Sequence, residues 1–235
     1  MMETTKTVNQ PQWLRGAAQA LPIVMGYIPI GFAFGVLAQK AGLSVWHALA
    51  MSVFVFAGSS QLIAVGLIAG GAAPLSIVIT TFIVNLRHML MAAAVSPHLK
   101  GWRKRELAAF AYELTDETFA LHSASFTNQP PVKPAVFAVN LVSQLAWVAG
   151  SWLGVSMGQL IKDVRPYGLD YALAAMFIAL LVVQLTNRVQ VAVALAAGVL
   201  SLGLKFAGLD QWHVILATVL AATIGVVVEQ CNHQR

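Results

Sequence analysis

The chain has 235 residues, 58% hydrophobic and only 10% charged, with a formal net charge of +5. Soluble domains carry roughly 25% charged residues, so this composition excludes a soluble globular domain and describes an integral membrane protein. The basic residues are scattered and form no stripe, which excludes nucleic acid as a partner, and the single cysteine, Cys231, excludes an intrachain disulfide framework or a cysteine metal cluster.

The first dozen residues are polar and mixed. They lack a basic segment, short apolar core and cleavage site in series, so no cleaved signal peptide is expected. A helix needs about 20 apolar residues to cross the hydrocarbon core. Residues 16–38, 48–69, 74–96 and 135–160 meet that length. Residues 171–186, 189–204 and 214–228 are shorter runs, which need snorkelling flanks or local thinning to span. Residues 107–126 match a span in length but carry three carboxylates. The expected fold class is an all-α polytopic membrane protein. It has seven transmembrane helices without 107–126 and eight with it, in one transmembrane domain over residues 1–235.

Charge orients these spans. The loop 97–106 holds Lys100, Arg103, Lys104 and Arg105, so it is expected on the cytoplasmic side. Eight spans add Lys40, Lys162, Arg165 and Lys205 to that side. They leave Lys6, Arg15, Lys133, Arg188 and Arg235 on the other, with both termini outside. Trp13, Trp46, Trp102 and Trp212 fall near predicted span ends, as an aromatic belt places them.

Two spans carry breakers. The first contains Pro22, Gly26, Pro29, Gly31 and Gly35, which predicts a kinked or broken helix. Gly31 and Gly35 let a second helix approach closely. The second contains FAGSSQL at 56–62, a flexible polar joint near mid-membrane. If the helix breaks there, a half-helix after Gly58 points backbone N–H groups into a cavity and suits a carboxylate. If it does not, the serines bond back to carbonyls one turn earlier. Gly150, Gly154 and Gly158 form a packing stripe, for a helix of this chain or for a second copy in a homo-oligomer. Ser60-Gln61-Leu62 resembles Ser143-Gln144-Leu145, and Asn85-Leu86-Arg87 resembles Asn187-Arg188, a hint of an inverted repeat.

The third span reads PLSIVITTFIVNLRHMLMAAAVS, with Asn85, Arg87 and His88 near its middle. Arg87 keeps its proton, so it needs a partner or water. His88 reads either as a satisfied core histidine or as a proton relay. On a continuous helix Glu113, Asp116 and Glu117 share one face, with Glu106 on the same arc. A carboxylate in hydrocarbon costs about 2.5–3.5 kcal/mol. Either the stretch spans and its acidic face lines a pathway, or it lies at the cytoplasmic surface, held there by Arg103 and Glu106. In the first case Arg87 pairs with Asp116 or Glu117. No GxSxG or HExxH motif is present, and no repeated filter loop, so intramembrane proteolysis, a metal site and a selectivity-filter channel are poorly supported. No cofactor is expected. A channel or scaffold subunit with purely structural ion pairs is the alternative to a transporter.

The ordered motifs PIGFAFG (29–35), AGSSQ (57–61), TTFIVNLRHML (80–90) and ELTDETFA (113–120) closely resemble the AzlC-type branched-chain amino acid exporter family, the large subunit of an LIV-E type permease. The resemblance covers about the first 125 residues by motif and the rest by hydropathy. It implies a multi-pass protein of the bacterial inner membrane that is no enzyme. It implies export of valine, leucine, isoleucine and often methionine, together with a separate AzlD-type small membrane subunit. The crowded carboxylates Glu113, Asp116 and Glu117 offer a protonatable group, which suits antiport against entering protons. The signature positions are Pro29, Gly31, Gly35, Gly58, Gln61, Asn85, Arg87, Asp116 and Glu117. A zwitterion needs one partner of each charge and an apolar pocket. Gly58, Ser59, Ser60, Gln61, Asn85, Arg87, Asp116 and Glu117 are the expected substrate-binding residues, and Glu113, Asp116, Glu117 and His88 the expected proton-coupling residues.

Overall fold

The computed structural model describes residues 11–161, 163–171, 174–175, 178–179, 181–182, 185, 187–208 and 213–233. Lys6, Lys162, Trp212, Arg235 and much of the expected span 171–186 lie outside the described residues. The chain divides into two compact units, Met1–Phe177 and Ile178–Arg235. Among the described residues all regular structure is helical.

Among its described residues the first unit has the α-helices α1 (Gln12–Gln19), α2 (Leu21–Lys40), α3 (Val45–Ala50), α4 (Gly58–Ala69), α5 (Pro74–Val95), α6 (Lys104–Tyr112), α7 (Asp116–Asn128) and α8 (Lys133–Met157). The second contains α9 (Arg188–Phe206) and α10 (His213–His233), which pack on one another. Leu21–Lys40, Pro74–Leu99, Lys133–Met157 and Arg188–Phe206 are long and apolar enough to cross a membrane. Along α5, Leu75, Val78, Phe82, Leu86 and Met89 stay exposed, an apolar stripe suited to lipid.

The expected breaks distribute unevenly. In the first span the interruption falls at Ala20, between α1 and α2. Pro22 then sits in the first turn of α2, where its missing N–H is no loss, and α2 runs on through Pro29. The second span is broken as read: α3 runs into a π-helical turn, Met51–Val55, and a new helix starts at Gly58. The stretch 107–126 departs from expectation. It is two helices, α6 and α7, separated at Glu113–Thr115. Thr115 is the reason. Its hydroxyl accepts from the Thr118 backbone N–H while the Thr118 hydroxyl accepts from the Thr115 N–H, a capping box that starts a new helix with Asp116 and Glu117 in its first turn.

The two glycine stripes meet each other. α2 crosses α8 so closely that a Cβ on Gly31 would lie 2.9 Å from the Trp147 carbonyl oxygen, and one on Gly150 2.5 Å from that of Ile28. Gly35 and Gly154 are equally hemmed in by the facing backbone. The stripe on α8 is therefore occupied within the chain. The repeat hint finds no counterpart here: Ser143 and Gln144 lie inside α8, whereas Ser60 and Gln61 open α4. Asn187 caps α9, whereas Asn85 lies mid-helix in α5.

An exposed staple ties α6 to α8. Lys133 Nζ donates to Glu106 Oε2 at 2.6 Å and lies 5.4 Å from the centre of the Trp102 ring. The Lys133 ammonium and the Arg103 N–H hold the Glu106 carboxyl below the usual glutamate range. A lowered folded value means that the pair stabilises fully above the ordinary glutamate pKa and is lost as pH falls through the folded one. Glu106→Gln is expected to melt below the wild type at neutral pH, with the difference vanishing on acidification; thermal melts in detergent across pH check this. In the same assay Gly154→Val should cost about 1–3 kcal/mol or more through overpacking. Gly26→Ala, with nothing within 4 Å of the added Cβ, should be tolerated.

Candidate functional site

The break in the second span is built by two residues. Phe56 adopts the left-handed conformation (φ 42°, ψ 47°), and Ala57 is close to extended. A non-glycine residue there stores about 1–3 kcal/mol, so its surroundings must hold it. Phe56 is buried and meets the Tyr27 ring edge-on at 6.4 Å. Ser60 Oγ donates back to the Ala57 carbonyl at 2.9 Å, closing the turn.

A buried polar chain then locks α4 to α8. Trp147 Nε1 donates to Gln61 Oε1 at 3.1 Å, and Gln61 Nε2 donates to Ser52 Oγ at 3.3 Å. Ser52 donates to Ser151 Oγ, which donates to the Trp147 carbonyl, both at 2.8 Å. Trp147 lies against Gly58, where a Cβ would sit 2.7 Å from the ring.

The N-termini of α4 and α7 meet the middle of α5 at one cavity. Gly58, Ser59, Arg87, His88, Asp116 and Glu117 line it together with Tyr27, Phe56, Thr115 and Trp147. Arg87 Nη2 lies 2.9 Å from Asp116 Oδ2 and donates to Ser59 Oγ. Arg87 Nε is buried with no partner. The Tyr27 hydroxyl oxygen lies 2.6 Å from both Thr115 Oγ1 and Glu117 Oε2. The free space is about 10 Å³, room for no more than one water. The arrangement is a closed one, in which Arg87 pairs with Asp116 and Glu117 meets Tyr27, with Arg87 Nε left over.

Six of the expected site residues thus converge, and four do not. Ser60 and Gln61 are buried in the joint that shapes the cavity and do not line it. Asn85 also stays outside the lining: its carbonyl oxygen contacts His88 Nδ1 at 3.1 Å, and its Oδ1 is buried without a partner. Glu113 was expected on one face with Asp116 and Glu117. It caps the end of α6 instead, because the helix stops there, and it neighbours Asn140.

Tyr27, Thr115 and Trp147 were missed. Thr115 before Asp-Glu had a readable signal, a capping residue followed by an acidic first turn. Trp147 stood mid-span rather than in a belt, where its indole N–H needs a partner.

A family model described as "AzlC protein" matches residues 22–161. The chain belongs to the AzlC family. It is 35% identical over 205 residues to an uncharacterized membrane protein of Archaeoglobus fulgidus, covering 86% of this chain and 89% of that one. It is 29% identical over 168 residues to the branched-chain amino acid transport protein AzlC of Bacillus subtilis, covering 70% of this chain and 64% of that one. It is 28% identical over 182 residues to inner membrane protein YgaZ of Escherichia coli, covering 75% and 74%. No solved structure matches the chain. The family match contains every residue that lines the cavity.

Trp147→Phe leaves the buried Gln61 Oε1 without its donor. The expected loss is about 1–3 kcal/mol, the cost of an unsatisfied buried acceptor, read as a lowered midpoint in thermal unfolding of the detergent-solubilised protein.

Proposed function

We propose that this AzlC-family membrane protein is a secondary transporter that exports neutral apolar amino acids (valine, leucine, isoleucine and methionine) across the bacterial inner membrane. Proton entry drives it, and a small AzlD-type membrane subunit accompanies it. The observation that carries the proposal is the meeting of Arg87, Asp116 and Glu117 with two helix N-termini at one cavity. A zwitterion's carboxylate suits Arg87, whose Nε is an unused donor, and the N–H groups at the start of α4. Its ammonium suits Asp116 or Glu117. Phe56 and Trp147 offer apolar walls for a branched side chain. A cavity of about 10 Å³ is too small for an amino acid, so binding requires α5 or α7 to move and the Arg87–Asp116 pair to open. In this reading the ion pair holds the empty carrier shut and substrate replaces both halves of it. The whole chain acts as one transmembrane domain, with α6 and α7 entering the membrane as a broken span.

The tight closure also favours a second reading, a channel or scaffold subunit in which Arg87–Asp116 only fixes helix packing. The two readings predict opposite outcomes. As a transporter, the chain with Asp116→Asn or Arg87→Gln loses about tenfold or more in efflux of valine or methionine from preloaded cells, since a buried charge contact is worth about 2 kcal/mol or more. The charge swap Arg87→Asp with Asp116→Arg does not restore it. Wild-type efflux in both single variants sinks the site assignment; full rescue by the swap supports the structural pair.

A further inference from the structure

Tyr27 has one hydroxyl hydrogen but two partners at 2.6 Å, Thr115 Oγ1 and Glu117 Oε2. It donates to one and must receive from the other. Behind it the chain continues: Thr115 Oγ1 lies 3.1 Å from Thr118 Oγ1, and Thr118 Oγ1 lies 3.3 Å from the Thr115 carbonyl oxygen. Thr115 and Thr118 are buried, and so is Tyr27.

Two complete hydrogen assignments fit these distances. With Glu117 ionised, Thr115 donates to Tyr27 and Tyr27 donates to Glu117. With Glu117 carrying a proton, Glu117 donates to Tyr27, Tyr27 to Thr115, Thr115 to the Thr118 hydroxyl, and Thr118 to the Thr115 carbonyl. The assignments differ by one hydrogen, on Glu117, and by the direction of the intervening bonds. Neither oversubscribes an oxygen. Thr115 Oγ1 also accepts the Thr118 N–H, and Thr118 Oγ1 accepts the Thr115 N–H, so each hydroxyl uses at most two lone pairs.

We propose that Tyr27, backed by Thr115 and Thr118, is the positioning residue that lets Glu117 hold or release a proton inside the closed site, because the hydroxyl chain reverses its donor direction and leaves both states fully hydrogen-bonded. An isolated carboxyl group in such a site pays in lost hydrogen bonds for one of its two states; Glu117 Oε2 keeps its bond to Tyr27 in both. The proposal rests on the transport reading and names the proton-handling group within it. The titratable and charged groups around Glu117 are Tyr27 from α2, Arg87 and His88 from α5, and Asp116 on α7. α4 and α8 face the cavity with Ser59 and Trp147, which do not titrate. Asp116 is held by Arg87 at 2.9 Å, which leaves Glu117 as the carboxyl joined to the hydroxyl chain.

The test uses everted membrane vesicles from cells expressing the full chain together with an AzlD-type small subunit, with vesicles holding the small subunit alone as background. Two activities are measured with radiolabelled leucine: uptake driven by an acid-inside pH gradient, and exchange against unlabelled leucine at equal pH. Exchange returns each carrier loaded and needs no net proton movement. Tyr27→Phe keeps the ring and removes the hydroxyl; it should lower the ratio of gradient-driven uptake to exchange by about tenfold or more, as expected for loss of a proton-relaying group. Thr115→Val should lower the same ratio, and Thr115→Ser, which keeps both cap and hydroxyl, should restore it. If Tyr27→Phe fails to reach the membrane by immunoblot, the Thr115 pair decides. An unchanged ratio overturns the proposal, as do uptake and exchange falling in step. Wild-type vesicles that exchange leucine but ignore the gradient also overturn it and leave transport standing. Wild-type vesicles that do neither overturn the transport reading, and the proposal with it.

Discussion

An arginine at the centre of an apolar helix is the constraint on which the rest of this structure depends. Arg87 cannot shed its charge, and α5 exposes an apolar stripe that offers it nothing. Its partners must come from other elements at the same depth. Side chains from an unbroken apolar helix would supply too few. The chain instead brings two helix starts to Arg87: Ser59 in the first turn of α4 and Asp116 in the first turn of α7. Each start also presents backbone N–H groups that the helix cannot satisfy itself. At α7 the first-turn carboxylates answer that need. The first turn of α4 carries no acidic residue and no side-chain cap, and its Gly58 and Ser59 line the cavity. The asymmetry puts the acidic residues at one helix start only, the division that the proposed zwitterionic substrate requires.

Broken helices in a low-dielectric interior are costly, and the structure shows what offsets the cost. The left-handed Phe56 is held by aromatic packing and by the Ser60 hydroxyl that closes its turn. The Trp147–Gln61–Ser52–Ser151 chain satisfies every polar atom it buries along the path from α8 to α4. These residues do not touch the cavity's charges. They fix where the α4 start sits, and a small misplacement of that start would deprive Arg87 of Ser59.

Much of this was legible in the sequence, for identifiable reasons. Gly58-Ser59-Ser60 in an apolar run marked a polar, flexible joint, though the break itself falls just before it, at Phe56 and Ala57. Arg87 demanded an acidic partner, and Asp116 of the acidic stretch supplied it. The glycine stripes on α2 and α8 were both visible, but that they face each other depends on a long-range crossing that periodicity does not encode. The acidic stretch was misread as one helix because the i, i+3, i+4 spacing of Glu113, Asp116 and Glu117 is compatible with a continuous face. The Thr115 cap overrides that spacing, since a capped start with acids in its first turn is locally more stable than helix interior at the same residues. Tyr27 could not be found by pattern. A single phenol in an apolar span is ordinary until the fold sets it against Glu117.

The same contacts divide the molecule into a part that resists motion and a part that permits it. At Gly31, Gly35, Gly150 and Gly154 the α2–α8 seam sets glycine Cα atoms directly against facing backbone, and Phe34 stacks on Trp147 beside it. Such a seam can slide only by losing contact along its whole length. The cavity's closure is of another kind: an ion pair, a serine contact and hydroxyl bonds, all at the ends of α4 and α7 and on the thinly covered α5. Each of these can be exchanged for an equivalent bond to a ligand or a proton at little net cost, because what they satisfy is polarity rather than shape. A carrier of the kind proposed needs that separation. The α2–α8 frame holds Tyr27 and Trp147 in register beside the groups whose bonds are exchangeable.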